Sequence, residues 1–135
     1  MAIQLSTTVR NAILDAVETA IGTSAVLKIR TGAAPANVAT ADSGTVLATL
    51  SLPIDWMAAA SSGSKALAGT WQDASADATG TAAHFRIYAS DGTTAHLQGT
   101  VTATGGGGDL TLDNTSIASG QSITITAFTI AAGNA

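Results

Sequence analysis

Charged side chains are scarce in this chain. Lys, Arg, Asp and Glu make up only 10% of its 135 residues, whereas an ordinary soluble domain carries about 25%. Ala, Thr, Gly and Ser together contribute 76 residues. A surface of small neutral side chains orders at low cost, because Ala and Gly lose no side-chain freedom on being fixed. Such a surface suits packing against other molecules, and it predicts a structural protein of an assembly, not an enzyme.

The length fits one domain spanning residues 1–135. We expect a mainly β protein, a β-sandwich or jelly roll over about residues 25–131, with one N-terminal α-helix at about residues 7–21. Large apolar residues are too few for a thick core, so we also expect contacts with partners to contribute to stability.

Charge and residue usage argue against several classes of partner. The formal net charge is −4, and the basic residues are dispersed, which predicts no nucleic-acid surface. No apolar run is long enough to span a membrane, and the N-terminus lacks the pattern of a signal peptide. With no cysteine, thiolate metal sites and disulfides are excluded. We expect no cofactor, no metal and no small-molecule substrate.

The helix has clear start and stop signals. Ser6 or Thr7 can cap its first N–H groups, and Gly22 is a natural left-handed stop. Apolar residues recur at helical spacing and predict a buried stripe, whereas the three charged residues lie off it. The predicted stripe consists of Val9, Ile13, Leu14, Val17, Ala20 and Ile21.

Short β segments separated by turn residues follow Gly22. We expect about seven strands, which is typical of a sandwich or jelly roll. In the last segment, 122–131, the apolar residues lie at odd positions before Ala127 and at even positions after it. This change of face predicts a bulge or burial on both faces. The run Gly105–Gly108 is expected to be a flexible hairpin tip. The predicted strands lie at residues 25–31, 45–52, 65–72, 82–89, 109–113 and 122–131, with a further strand after the Asp91-Gly92 turn that places Ala95, Leu97 and Gly99 on one face.

The pair Asp91-Gly92 marks a hairpin whose register can be predicted. A two-residue turn would set Phe85 opposite Gln98. A three-residue loop instead groups Phe85 and Ile87 with Leu97 on one face, which keeps the apolar side chains together. We therefore expect the second register.

The polar residues offer few candidate sites. The only two histidines, His84 and His96, are expected on the polar face of the hairpin beside Arg86, where a guanidinium would repel a metal ion. Most aspartates sit in loops or at strand ends and suit turn capping. A carboxylate pair of a glycosidase and a calcium loop at Asp73 and Asp77 remain less favoured alternatives. Trp56 and Trp71 are expected to anchor the core, with sugar stacking as the alternative.

Several segments together carry a resemblance that extends over nearly the whole chain. The chain resembles a family of small Ala/Thr/Gly-rich virion structural proteins of tailed bacteriophages. The resemblance implies a protein that decorates or cements the capsid, and it brings no catalytic residues. The segments are Leu5–Asn11, Lys28–Asn37, Asp55–Ala60, Gly69–Trp71, Phe85–Ile87 and Leu112–Ile117.

These observations define the functional hypothesis. We expect a non-enzymatic capsid decoration protein on the virion exterior, made in the bacterial cytoplasm, that bridges subunits of the major capsid protein and forms a homo-dimer or homo-trimer. A tail or tail-fibre-associated binding module is the alternative, and a secreted hydrolase or lectin is a third. The candidate contact surfaces are the helix, the loop at 33–44 and the polar hairpin face; their candidate interface residues are Arg10, Glu18, His84, Arg86 and His96.

Overall fold

A computed structural model describes residues 3–133. It confirms the expected fold class: the protein is mainly β and sandwich-like, with a single helix at its N-terminal end. The elements are α1 Thr7–Ile21, β1 Val26–Arg30, β2 Val46–Ser51, β3 Ser64–Ala66, β4 Trp71–Asp73, β5 Gly80–Thr81, β6 His84–Tyr88, β7 Ala95–Ala103, β8 Leu110–Leu112, β9 Ser116–Ile117, β10 Ile123–Ile125 and β11 Thr129–Ala131.

The helix begins and ends where its capping residues predict. The Ser6 hydroxyl accepts a hydrogen bond from the Val9 N–H at 3.2 Å, and the Gly22 N–H donates to the Glu18 carbonyl at 2.9 Å. Gly22 has a φ of 95°, a conformation that few residues other than glycine adopt. No helix within residues 3–133 is long and apolar enough to cross a membrane.

One layer of the sandwich is a five-stranded sheet in the order β2-β1-β6-β7-β8. In its β6–β7 hairpin, Phe85 pairs with Gly99 and Ile87 pairs with Leu97, which confirms the predicted register. The predicted three-residue loop is wrong, however. The one-residue offset comes from an irregularity between Ile87 and Tyr88, and Ala89 donates a further backbone bond to Thr94 at 3.0 Å across the turn.

Short strand pairs form the rest of the β structure: β4 with β10, β3 with β11, and β5 with β9. Two segments predicted as single strands are each divided in two. Segment 65–72 supplies β3 and β4, and segment 122–131 supplies β10 and β11. The break between β10 and β11 includes Ala127, where the apolar residues were predicted to change face. Because of this break, Ile125 and Phe128 are both buried.

The glycine-rich segment between β7 and β8 is not a hairpin tip. The two strands are parallel, with Val101 paired to Leu110. The six residues between them therefore form a complete loop, after which β8 runs beside β7 in the same direction. A Cβ at Gly106 or Gly108 would lie 2.7 or 2.8 Å from the Thr102 hydroxyl oxygen. Glycine is therefore required here for close packing, whereas the sequence suggested only flexibility.

A chain of aromatic rings runs through the core. Trp56 lies 6.0 Å from Trp71, Trp71 lies 5.4 Å from Phe128, and Phe128 meets Phe85 edge-on at 5.7 Å. Both tryptophans are fully buried, which confirms them as core anchors and removes the sugar-stacking alternative. Their indole N–H groups donate to backbone carbonyls, at 2.9 Å from Trp56 to Gly22.

Candidate interaction surfaces

The helix turns its polar residues toward the β body. Glu18 accepts from the Met57 N–H at 3.0 Å, Asp15 accepts from the Ala60 N–H at 3.0 Å, and Asn11 accepts from the Gly63 N–H at 2.8 Å. These three bonds satisfy backbone groups in the irregular segment that leads into β3, which unpaired would be costly to bury. The helix therefore stabilises that segment through polar contacts.

Lys65 on β3 completes this attachment. Its side chain is only 3% exposed, and its ammonium lies 2.8 Å from Asp15 and 2.9 Å from Glu18. It also donates to the Ala58 carbonyl at 2.8 Å. All three donors of the ammonium thus have acceptors, which is the condition for burying a lysine.

The pKa shifts agree with this geometry. The hydrogen bond from Lys65, together with the Ala60 N–H, lowers the pKa of Asp15 below its ordinary value. Burial of Lys65 acts to lower its pKa, but the hydrogen bonds to Asp15 and Glu18 outweigh burial and raise it. Asp15 and Lys65 therefore both stay charged across the neutral range.

Arg10 contributes to the same attachment at the start of the helix. Its guanidinium donates to the Ala132 carbonyl at 3.3 Å and to the Thr7 hydroxyl at 3.3 Å. The Ala132 N–H in turn donates to the Gly63 carbonyl at 3.0 Å. Arg10 and Glu18, predicted as interface residues, are thus both engaged within the chain.

The outer face of the helix is apolar, and the predicted buried stripe is in part wrong. Leu14 and Ile21 are buried, but Val9 is 44% exposed and Ile13 is 47% exposed. Ala16 and Ala20 on the same side are also exposed. Arg10, Asp15 and Glu18, the only charged residues of the helix, all make contacts on the other side. The helix thus carries apolar residues on two sides: Leu14 and Ile21 are buried and Val17 packs against the core, whereas Val9 and Ile13 lie on the outer side.

A loop covers the polar face of the main sheet. We call residues 32–44 the strap. Its Asp42 carboxylate lies 2.7 Å from Arg30 and 2.8 Å from Arg86, and it accepts a hydrogen bond from the Tyr88 hydroxyl at 2.8 Å. One carboxylate therefore neutralises two guanidiniums that are almost fully buried.

Further hydrogen bonds fix the strap along its length. Arg86 donates to the Asn37 carbonyl at 3.1 Å and to the Thr40 carbonyl at 2.9 Å. Gln98 accepts from Arg86 and donates to the Pro35 carbonyl at 2.7 Å. Burial raises the pKa of Asp42, but the Tyr88 hydrogen bond and the two arginines outweigh it and hold that pKa below its ordinary value.

Because the strap covers the polar hairpin face, the prediction that His84 and Arg86 form an interaction surface is wrong. Arg86 is 2% exposed and His84 is fully buried, and the His84 ring Nδ1 lies 2.7 Å from the Gly32 carbonyl. Neither side chain can contact another protein while the strap is in place. Of the predicted interface residues, only His96 is exposed.

Turn capping is confirmed for Asp91 and for one oxygen of Asp73, whereas it is wrong for Asp42, which binds two buried arginines, and for Asp77, which bonds to a residue 28 positions away. Asp73 accepts from the N–H groups of Thr49 and Ser75, and Asp77 accepts from the Thr49 hydroxyl at 2.7 Å. Asp91 accepts from both Thr93 and Thr94, and the Thr94 hydroxyl is the main reason that its pKa is lowered. Within residues 3–133, no three His, Asp or Glu side chains lie close enough together to hold a metal ion.

An open groove of about 350 Å³ adjoins the C-terminal end of the helix. Ile54, 73% exposed, forms one wall, and Thr19 and Gly22 form another. Exposed apolar surface is therefore present both along the helix and beside its end.

Comparison with protein-family models, with curated proteins and with solved structures gives no match to this chain. The arguments about function therefore rest on the surfaces described above.

Proposed function

We propose that this protein is a non-enzymatic structural protein that decorates and cements the capsid of a tailed bacteriophage. In this role it lies on the exterior of the virion and bridges subunits of the major capsid protein. The family resemblance of the sequence suggests the setting. The exposed apolar side of the helix supports the role.

The exposed apolar side of the helix, with Val9 and Ile13 about half exposed, is the observation that carries the proposal. A helix on the surface of a monomer gains by turning Val9 and Ile13 inward and its charged residues toward water. Here Asp15 and Glu18 are committed to the β body through Lys65, which leaves the apolar face outside. Exposed apolar surface of this kind marks sites where proteins associate.

The composition supports the same interpretation. A capsid protein present in many copies meets several neighbours at once, and each contact can be modest because all must break together. Small neutral side chains make such contacts with little loss of side-chain entropy. Loss of any one capsid subunit then requires the decorating protein to release several contacts.

Copy number in the virion tests the proposal. Quantitative mass spectrometry of purified particles is expected to give hundreds of copies, and a particle reconstruction is expected to place the protein on the shell. About a dozen copies would instead indicate a part of the tail. Exposed tryptophans in a groove would have favoured that alternative, but Trp56 and Trp71 are both fully buried.

A matched pair of variants tests the role of the helix. Ile13→Asp places a charge on the exposed apolar face, whereas Thr124→Asp places one on an exposed position of β10. When added to particles that lack the protein, Ile13→Asp is expected to bind at least tenfold more weakly than the wild type. Thr124→Asp is expected to bind normally. Equal binding by both variants would remove the helix from the proposed contact.

A further inference from the structure

The hydrogen bonds beneath the strap all run in one direction. In each bond between the strap and the main sheet, the sheet donates and the strap accepts. The acceptors are the Asp42 carboxylate and backbone carbonyls of the strap. The His84 Nδ1 is a donor because its neighbour, the Gly32 carbonyl, can only accept. The covered face of the sheet therefore has the chemistry of a site for a carboxylate on an extended backbone. Its donors are the side chains of Arg30, His84, Arg86, Tyr88 and Gln98.

Positive charge is concentrated on this face. It carries Lys28, Arg30 and Arg86, which are three of the five basic residues of the chain, and Lys28 lies directly opposite Arg86 across β1 and β6. Like charges in opposite positions destabilise a sheet. Within residues 3–133, Asp42 is the one carboxylate that forms ion pairs with any of them. The face therefore attracts a further anion, although the chain as a whole has a net charge of −4.

The strap satisfies the polar groups of this face incompletely. The Arg30 Nε and the His84 Nε2 are buried and have no hydrogen-bond partner within residues 3–133, and the two residues are paired with each other across the strands. The bonds from Arg30 to the Ser43 and Gly44 carbonyls are long, at 3.5 and 3.4 Å. Because a buried polar atom without a partner destabilises the structure that contains it, a ligand with more acceptors can bind this face better than the strap does.

The attachment of the strap permits its displacement. None of its residues is buried, so lifting it takes no side chain of its own out of the core. It is bounded by Gly32 and Gly44, whose φ angles are 76° and 72°, and glycine accommodates the backbone changes of a hinge. The free energy of opening therefore depends mainly on the polar contacts that Asp42 and the strap carbonyls make.

We propose that the strap is a displaceable cover, and that the face beneath it binds an extended acidic segment of a partner protein. In the closed state the strap occupies the site as that segment would, since Asp42 supplies a carboxylate and the backbone supplies carbonyls. A partner segment with two acidic residues replaces these acceptors and gives Arg30 and Arg86 a carboxylate each. The proposal goes beyond the capsid role and does not rest on it, because every contact that carries it lies within this chain.

Displacement makes a specific prediction about affinity. A site that is open in only a fraction of the molecules binds its ligand more weakly by that fraction. Asp42→Asn removes the carboxylate that holds the strap, so it raises the open fraction and is expected to strengthen the binding of an acidic peptide. Asp113→Asn changes the net charge equally at an exposed position outside the strap, and it therefore controls for non-specific attraction between the peptide and the protein.

The probe is a fluorescently labelled peptide of alternating alanine and aspartate, whose binding is followed by anisotropy. Asp42→Asn is expected to bind it at least about tenfold more tightly than the wild type or Asp113→Asn does. The matching peptide of alternating alanine and asparagine is expected to bind Asp42→Asn at least about tenfold more weakly. Arg86→Gln in the Asp42→Asn background is expected to remove this preference. Equal affinity of Asp42→Asn and Asp113→Asn for the acidic peptide, or of Asp42→Asn for the two peptides, would overturn the proposal.

The wild type provides a test that does not depend on the folding of any variant. Cleavage by thermolysin before Val38 requires this part of the strap to leave the sheet. If the strap opens by itself, the cleavage rate is expected to stay nearly constant at low urea concentrations, because local opening exposes little surface. A rate that instead rises with urea in parallel with global unfolding would overturn the displaceable cover. Both measurements use the isolated protein, so they can fail while the capsid role stands, and absence from virions would reject the capsid role alone.

Discussion

Replacing Asp42 by Asn tests whether one carboxylate holds the strap to the sheet. The substitution keeps the size of the side chain but leaves Arg30 and Arg86 without a counterion, and their side chains are only 8% and 2% exposed. Removing one partner of a buried ion pair costs about 3–5 kcal/mol. Asp42 is itself 36% exposed, so water can replace part of what is lost, and we expect a cost near the lower end, about 3 kcal/mol.

Urea denaturation measures this cost as a change in the free energy of unfolding. Asp113→Asn is the matched control, because Asp113 is exposed and lies outside the strap, and its expected effect is within about 0.5 kcal/mol. A second measurement reports on the strap itself. Thermolysin cleaves before apolar residues, and we expect Asp42→Asn to make the bond before Val38 much more susceptible than it is in the wild type.

The dependence on pH gives an independent check. Because folding lowers the pKa of Asp42, its stabilising contribution is complete above the unfolded value of about 4. That contribution is lost as the pH falls through the lower pKa of the folded state. Asp42→Asn lacks it at every pH, so the difference in stability between the two proteins is expected to shrink below about pH 4.

A loss smaller than about 1 kcal/mol, with the strap still protected from thermolysin, would refute this reasoning. It would mean that the neutral acceptors at Asn37, Thr40 and Gln98 suffice for Arg86. The carboxylate would then be dispensable.

Two further predictions concern other contacts. Lys65→Met leaves the carboxylates of Asp15 and Glu18 facing each other, and we expect it to lower the free energy of unfolding in urea by about 2–3 kcal/mol. The control is Lys28→Met at a less buried lysine, with an expected loss of about 1 kcal/mol or less. Equal losses would contradict the attachment described for the helix. Gly99→Ala places a Cβ 2.7 Å from the Phe85 ring and is expected to cost about 1–3 kcal/mol, whereas Gly133→Ala, with open space around it, should be neutral in thermal denaturation.

The sequence predicts those features that depend on neighbouring residues. Ser6 and Gly22 define the helix because capping is a local interaction. The hairpin register follows from keeping Phe85, Ile87 and Leu97 on one face, since a slip by one residue reverses the faces. The strands β1, β2 and β6 lie within the predicted ranges for the same reason.

Features that depend on distant residues were not predictable in this way. The burial of Arg86 depends on Asp42, which lies 44 positions earlier and has the sequence context of an ordinary turn residue. The attachment of the helix includes Lys65 of β3, which binds Asp15 and Glu18 and lies about 50 positions later in the chain. The parallel pairing of β7 with β8 depends on close contact between Gly108 and Thr102. From composition alone, the glycines of this segment indicate only flexibility.

The bond from Arg10 to the Ala132 carbonyl joins positions 122 residues apart. During synthesis, the helix therefore emerges from the ribosome long before the residue that secures its first turn exists. Until β11 has been made and paired with β3, Arg10 has no such acceptor, and β3 itself lacks its neighbouring strand. Attachment of the first turn of the helix through Arg10 is thus coupled to completion of nearly the whole polypeptide.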